Sequence, residues 1–157
     1  MIFVTLGSQK FQFNRLLQEV DRLLQAELIT EPVFAQIGHS DYEPKHYPYK
    51  RFLDHDEFVE MEQKADIVIT HGGTGAIIGA VKKGKKVIAL PRLAKYGEHV
   101  DDHQRQIVKQ FQELNFICGC ETVDDLESAI NTVRLSEYTA YKSQTKNIID
   151  SIEQFIQ

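Results

Sequence analysis

Tryptophan is absent from this chain, and cysteine, methionine and proline number only two, two and four. Two cysteines cannot build the disulfide framework of a small secreted scaffold. They stand as Cys118 and Cys120 on a strand-like segment and read as reduced thiols rather than as a metal or disulfide pair. With prolines so sparse, no Pro-rich linker or tract divides the chain. No apolar run approaches the roughly 20 residues of a membrane-spanning helix. Met1 to Gly7 enters a strand without the basic segment of a signal peptide. Eighteen lysines and arginines face 23 acidic residues, so no basic surplus exists to neutralise a nucleic-acid backbone. These absences exclude secreted, membrane-spanning and nucleic-acid-binding classes. They leave a cytoplasmic globular protein, expected as a single domain over residues 1–157.

What is present centres on Ile67 to Gly84. The run Ile67 to Thr70 is apolar and β-branched, as a buried parallel strand requires. It breaks at His71-Gly72-Gly73-Thr74-Gly75. A helix-like segment with Ala76, Ile77, Ala80 and Val81 follows, and Gly84 fits a helix C′ stop. Strand, glycine loop and helix start make an anion site, because first-turn N–H groups lack internal partners and the helix dipole is positive there. The alternative is a tight turn that needs its glycines and binds nothing. Three glycines in four residues, with a hydroxyl among them, exceed what a turn needs.

Before that centre, Ile2 to Leu6 reads as a strand ended by Gly7-Ser8. Phe13, Leu16, Leu17, Val20, Leu23 and Leu24 mark an amphipathic helix. Pro32 to Ile37 is a second strand, His39 to Lys50 an irregular loop, Tyr49 to Leu53 a short third strand and Phe58 to Lys64 a helix. After the centre come a strand at Val87 to Leu90, a polar loop from Arg92 to Asp102 and a helix from His103 to Leu114. A short strand at Phe116 to Cys118, a helix at Val123 to Val133 and a terminal helix carrying Tyr141, Ile148, Ile149, Ile152, Phe155 and Ile156 complete the order. The alternation predicts an α/β, doubly wound, mostly parallel, Rossmann-like sheet. Gly7, Gly38, Leu53, His71 and Arg92 then fall at strand ends and converge on one rim.

Familiar motifs fail here. Gly79 to Lys86 spells a Walker A segment without its final Ser or Thr, and at a helix end rather than after a strand. The first turn, Gly7 to Phe11, lacks the dinucleotide fingerprint, and no acidic residue closes the second strand. His99 and His103 lie mostly in loop, so no metal is expected.

The segments Ile69 to Gly75, Gly84 to Arg92 and Tyr96 to Gln104, with Val4 to Ser8, carry a resemblance. They read Ile-Thr-His-Gly-Gly-Thr-Gly, Gly-Lys-Lys-Val-Ile-Ala-Leu-Pro-Arg, Tyr-Gly-Glu-His-Val-Asp-Asp-His-Gln and Val-Thr-Leu-Gly-Ser. Together they resemble the C-terminal domain of family 28 glycosyltransferases. Within that family the chain is most similar to the short bacterial subunits of two-component exopolysaccharide and capsule glycosyltransferases. It is also similar to the cytosolic subunit of the eukaryotic dolichol-linked N-acetylglucosaminyltransferase.

The resemblance implies the nucleotide-sugar half of an inverting GT-B hexosyltransferase. A membrane-associated partner would carry the acceptor half, act on a polyprenyl-diphosphate-linked saccharide and recruit this chain to the inner face of the plasma membrane. The substrate would be a UDP-sugar, with no cofactor or metal. The loop Gly72, Gly73, Thr74, Gly75 would take the donor diphosphate, and Gly7 and Ser8 would close the pocket. Leu53 would present backbone to uracil, and Gln104 and His103 would bond sugar hydroxyls. Related enzymes carry a ribose-binding glutamate where this chain has Gly79, which leaves Glu98 and Asp102 as acidic candidates. Arg92 is either an added cation or a solvated loop arginine. His71 is either a rim residue near the diphosphate or a satisfied strand-end histidine. The catalytic base is expected on the partner, with His71 the catalytic candidate on this chain. A rival reading is a non-catalytic nucleotide-binding or regulatory subunit of the same fold.

Overall fold

The computed structural model describes residues 1–142 and, beyond them, Asn147, Asp150, Ser151 and Gln154. Strands β1 (Ile2–Thr5), β2 (Val33–Gln36), β3 (Tyr49–Lys50), β4 (Ile67–His71), β5 (Lys86–Leu90) and β6 (Cys118–Gly119) form one sheet. Its order is β3-β2-β1-β4-β5-β6, and every pairing is parallel. Helices α1 (Asn14–Gln25), α2 (His55–Lys64), α3 (Thr74–Lys82), α4 (His103–Glu113) and α5 (Leu126–Leu135) alternate with them. The expected doubly wound α/β architecture is the one observed.

Both faces of the sheet are covered, which is why its strands carry apolar residues at successive positions. Side chains alternate in direction along a strand. Ile2, Val4, Ile67, Ile69, Ile88 and Leu90 therefore pack in one core, with Leu16, Leu17, Val20 and Leu23 of α1 and Ile130 and Val133 of α5. Phe3, Val68, Val87 and Ala89 pack in the other, with Ile77 and Ala80 of α3 and Val108 and Phe111 of α4.

Element ends depart from the sequence pattern for local reasons. The third strand was expected to reach Leu53 but pairs only at Tyr49–Lys50. The chain leaves the sheet there because the Asp54 carboxylate accepts from the Glu57 N–H at 2.8 Å, capping α2 three residues before its expected start. The last strand was expected at Phe116 to Cys118 and pairs instead at Cys118–Gly119. Phe116 is occupied in ending α4: its N–H donates to Phe111 O at 3.0 Å, past Asn115 with φ of 60°. The helix expected from Val123 opens as a tight 3-10 turn with a Thr122–Asp125 capping box, and α5 proper starts at Leu126. Gly84 is the left-handed stop of α3, as its position suggested, with φ of 73° and the Lys85 N–H returning to Ala80 O.

Tyr141 lies half-buried against the α3 side of the core, with Lys82 Nζ 5.0 Å from its ring centre. Ile148, Ile149, Ile152, Phe155 and Ile156 of the expected terminal stripe lie outside the described residues. Among the described residues no helix is long and apolar enough to cross a membrane.

Candidate functional site

The strand order reverses between β1 and β4, since β1 is followed by β2 on one side and has β4 on the other. In open parallel sheets the crevice for a ligand opens at such a point, past the carboxyl ends of the strands. Here the loops after β1, β2 and β4 meet. Gly7 and Gly38 both have positive φ, 72° and 57°. A Cβ on Gly38 would stand 3.0 Å from Gly7 O, and one on Gly7 would stand 3.1 Å from His71 Nε2. Gly7, Gly38 and His71 thus converge as the element order predicted, while Leu53, three residues past β3, is half-buried against the α3-side core.

The loop at Gly72–Gly75 divides into two parts with different duties. The Gly72 N–H donates to Gln104 Oε1 at 3.0 Å, and the Gly73 N–H donates to His71 Nδ1 at 3.0 Å. A Cβ on Gly72 would meet Gln104 Cβ at 2.8 Å and Gln104 O at 3.0 Å, so packing alone demands glycine there. Gly73 is the α3 N-cap, and a Cβ there would meet the His71 ring at 2.2 Å. These two amides therefore build the turn and are not offered to a ligand. The amides of Thr74, Gly75 and Ala76 begin the helix, whose first turn carries no acidic residue and no side-chain cap. They make the positive helix end available. Gly75 faces nothing within 4 Å, so no packing contact in this chain explains its missing side chain.

Arg92 is neither a free cation nor a solvated loop arginine. It is 1% exposed and its guanidinium bonds backbone carbonyls of the first loop. Nη2 donates to Leu6 O at 2.6 Å, and Nη1 donates to Phe11 O and Gln12 O at 3.0 and 3.1 Å. Burial pulls its pKa down to about 10, with Glu98 working the other way. Arg92 Nε is buried without a partner. Glu98, offered as a ribose contact, is also 1% exposed and is consumed internally. Its carboxylate holds Arg15 at 3.0 Å through both oxygens and accepts from the Leu93 N–H at 3.0 Å. A ribose hydroxyl would have to displace a bidentate buried ion pair, and this corrects the expectation for both residues.

Gln104 is likewise turned inward. It is 5% exposed, and its Oε1 accepts from both Gly72 N and Arg92 N at 3.0 Å. Its Nε2 lies 3.3 Å from His71 Nδ1. The side chain expected on sugar hydroxyls ties the loops after β4 and β5 to the start of α4. His103 is exposed, with Nδ1 3.6 Å from Asp101 Oδ2. Asp102 is exposed and accepts from the Ala94 N–H at 2.9 Å. Ser8 is exposed on the first loop. His71 itself is buried, and burial reinforced by the Arg92 charge pulls its pKa down to about 3, so the ring is neutral at physiological pH.

Two neighbours of the rim escaped the sequence reading. Phe52 is 48% exposed and its ring meets His39 edge-on at 5.1 Å. The only sequence signal was its place next to Leu53, at the end of the expected Tyr49 to Leu53 strand. The second neighbour is a buried polar row beneath the glycine loops. Thr70 Oγ1 donates to Thr5 O at 2.9 Å, and Thr5 Oγ1 donates to Gln36 Oε1 at 3.0 Å. Register places Gln36, Thr5 and Thr70 level on adjacent strands. Among the described residues no group of three or more His, Cys, Asp or Glu could hold a metal ion.

The profile of the glycosyltransferase family 28 C-terminal domain matches residues 1–157. The chain belongs to that family. Its similarity to the UDP-N-acetylglucosamine transferase subunit ALG13 of Candida glabrata is 29% identity over 86 residues, covering 54% of this chain and 41% of that protein. With the human subunit of the same name it shares 28% identity over 131 residues, covering 78% of this chain and 11% of the relative. The chain thus spans less than half the length of these relatives. In fold, this family 28 domain is similar to MurG of Acinetobacter baumannii, with a TM-score of 0.59 at 17% identity, over 96% of this chain and 49% of that one. It is similar too to the glycotransferase of kitacinnamycin, with a TM-score of 0.58 at 15% identity, over 99% of this chain and 39% of that one. The architecture is that of one half of a GT-B glycosyltransferase.

Proposed function

We propose that the chain is the donor-binding subunit of an inverting glycosyltransferase that uses a UDP-sugar. A membrane-associated partner carries the acceptor half and recruits this chain to the inner face of the plasma membrane. The acceptor class is a polyprenyl-diphosphate-linked saccharide of capsule or exopolysaccharide synthesis. The carrying observation is the start of α3: unpartnered first-turn amides at the switch point, with Gly75 opening onto empty space. Cleavage of a nucleotide sugar develops negative charge on the departing diphosphate, and fixed N–H donors aimed there favour the transition state over the ground state. They do so without a metal. The subunit names of the ALG13 relatives support a heteromeric arrangement.

The acidic groups first considered for this rim do not supply a ready base. Glu98 is locked to Arg15, and Asp102 accepts from a backbone amide. This supports placing the base on the partner, and it also keeps a non-catalytic nucleotide-binding subunit as the second reading. A panel of UDP-sugars, tested for transfer with partner-containing membranes, separates them. Product from one donor supports the transferase. UDP binding without turnover in every complex supports the binding module.

A further inference from the structure

We infer that Gln104 is a positioning residue: it locks His71 as the neutral Nε2–H tautomer and so aims an N–H donor into the cleft between Gly7 and the start of α3. The role rests on the nucleotide reading for its purpose, but its geometry stands apart from it.

The orientation of an amide is fixed when its oxygen has donors that cannot be anything else. Gln104 Oε1 accepts from two backbone N–H groups, those of Gly72 and Arg92, each at 3.0 Å. A flipped amide would set its NH2 against both. The NH2 therefore faces His71, with Nε2 3.3 Å from Nδ1. The Gly73 N–H donates to the same Nδ1 at 3.0 Å. A ring nitrogen between two donors is an acceptor and carries no proton, so in the neutral imidazole the proton sits on Nε2. Nε2 has no hydrogen bond among the described residues and is not among their fully buried side-chain atoms without a hydrogen bond. It therefore reaches the cleft surface, where its neighbours are Gly7 and Gly73.

The same arrangement explains why the ring stays neutral. A second proton would have to go on Nδ1, against the Gly73 N–H and the Gln104 amide. The charged or titratable groups bearing on the ring, Arg92 and His99, add repulsion. A diphosphate arriving at α3 meets backbone amides and one imidazole N–H whose direction is already set, so no reorientation is needed during reaction. Gln104 acts on this donor through His71 and the glycine turn.

The test is a long-range proton–nitrogen correlation spectrum of the full chain with labelled histidines, His71 being assigned by His71→Gln. The expected spectrum is that of a neutral Nε2–H ring unchanged from pH 8 to pH 5.5. Gln104→Glu keeps an oxygen for Gly72 and Arg92 but turns the second group from donor to acceptor. His71 should then gain a proton on Nδ1, with its midpoint raised by two pH units or more. A wild-type ring that is Nδ1–H, or that titrates near the ordinary histidine value, overturns the lock even where the variant does not fold. A folded Gln104→Glu protein whose His71 stays neutral Nε2–H shows that Gln104 does not set it. Saturating UDP should shift the His71 Nε2 resonance, and bound UDP that leaves it unmoved overturns the aim into the cleft. No saturable UDP binding overturns the nucleotide reading, while the spectrum of the free protein still decides the tautomer.

Discussion

Arg92 Nη2 lies 2.6 Å from the carbonyl oxygen of Leu6, 86 residues earlier in the chain. That contact ties the end of β5 to the end of β1, and Nη1 extends the tie to Phe11 and Gln12. Arg92→Met removes the donors but leaves those carbonyls buried. An unsatisfied buried acceptor costs about 1–3 kcal/mol, so a loss of roughly 3 kcal/mol or more is expected in urea unfolding. Arg92→Lys should recover less than half, because one ammonium cannot span three carbonyls in a fixed fork. A loss below 1 kcal/mol for Arg92→Met would show that the clamp does not hold the loops.

The two ends of the glycine loop should respond oppositely to added bulk. Gly72→Ala forces a methyl against Gln104 backbone and side chain, and overpacking of this kind costs about 1–3 kcal/mol. Gly75→Ala meets nothing within 4 Å and should hold or raise stability by up to about 1 kcal/mol through helix propensity. Gly75→Val should keep its far-UV circular dichroism while weakening UDP. Calorimetry with undiminished UDP affinity in folded Gly75→Val removes the loop from the site.

Much of this division was beyond sequence reasoning. The doubly wound parallel sheet could be read because β1, β4 and β5 are buried on both faces and show it in unbroken apolar runs. The glycine loop could be read because a ligand site and a turn both need glycine there. Which glycine serves which purpose depends on Gln104, 32 residues away from Gly72, and no local pattern reports that partner. Arg92 and Glu98 misled for a related reason. Charged residues in a polar loop look solvated, and only the fold reveals that Leu6, Phe11 and Arg15 close over them. Phe52 was passed over because an exposed phenylalanine beside a short edge strand leaves no periodic signal.

His71 should leave a mark on the acid limb of stability. Its folded pKa, about 3, lies below the ordinary 6.5 because burial and Arg92 disfavour the charged ring. Between those values the unfolded chain binds a proton that the folded chain refuses, so stability falls as pH drops through the window. The slope from one such group approaches about 1.4 kcal/mol per pH unit. His71→Gln should flatten the stability profile between pH 6 and pH 4. An unchanged slope would mean that His71 is not held neutral.

Phe52 should separate the base from the phosphates. Its exposed ring stands with His39 at the strand ends. Stacking of a nucleobase on an aromatic ring is worth about 1–3 kcal/mol, so Phe52→Ala should weaken UDP by roughly tenfold or more. Inorganic pyrophosphate, which has no base, should bind as before. Equal losses for both ligands would place Phe52 in the fold and not against the base.

Transfer should need a second polypeptide. A GT-B site lies in the cleft between two Rossmann-like halves. This chain corresponds to 49% of MurG of Acinetobacter baumannii and 39% of the kitacinnamycin glycotransferase. On the proposed reading, its α3 start, the His71 ring and the loop after β3 make one wall of such a cleft. Of the acidic side chains first considered for this wall, Glu98 is paired with Arg15 and Asp102 accepts from the Ala94 amide. No described helix is long and apolar enough to cross a bilayer, where a polyprenyl-linked acceptor resides. On the proposed reading, the donor half binds and polarises a UDP-sugar while the partner supplies the group that delivers the nucleophile. The purified chain should bind UDP alone and transfer nothing to a polyprenyl-diphosphate-linked saccharide, and partner-containing membranes should restore transfer. Gly75→Val should abolish the restored activity without releasing the chain from those membranes, because the proposed reading puts the start of α3 against the ligand and not against the partner. Robust transfer by the lone chain would place the base on this polypeptide and overturn the two-subunit reading.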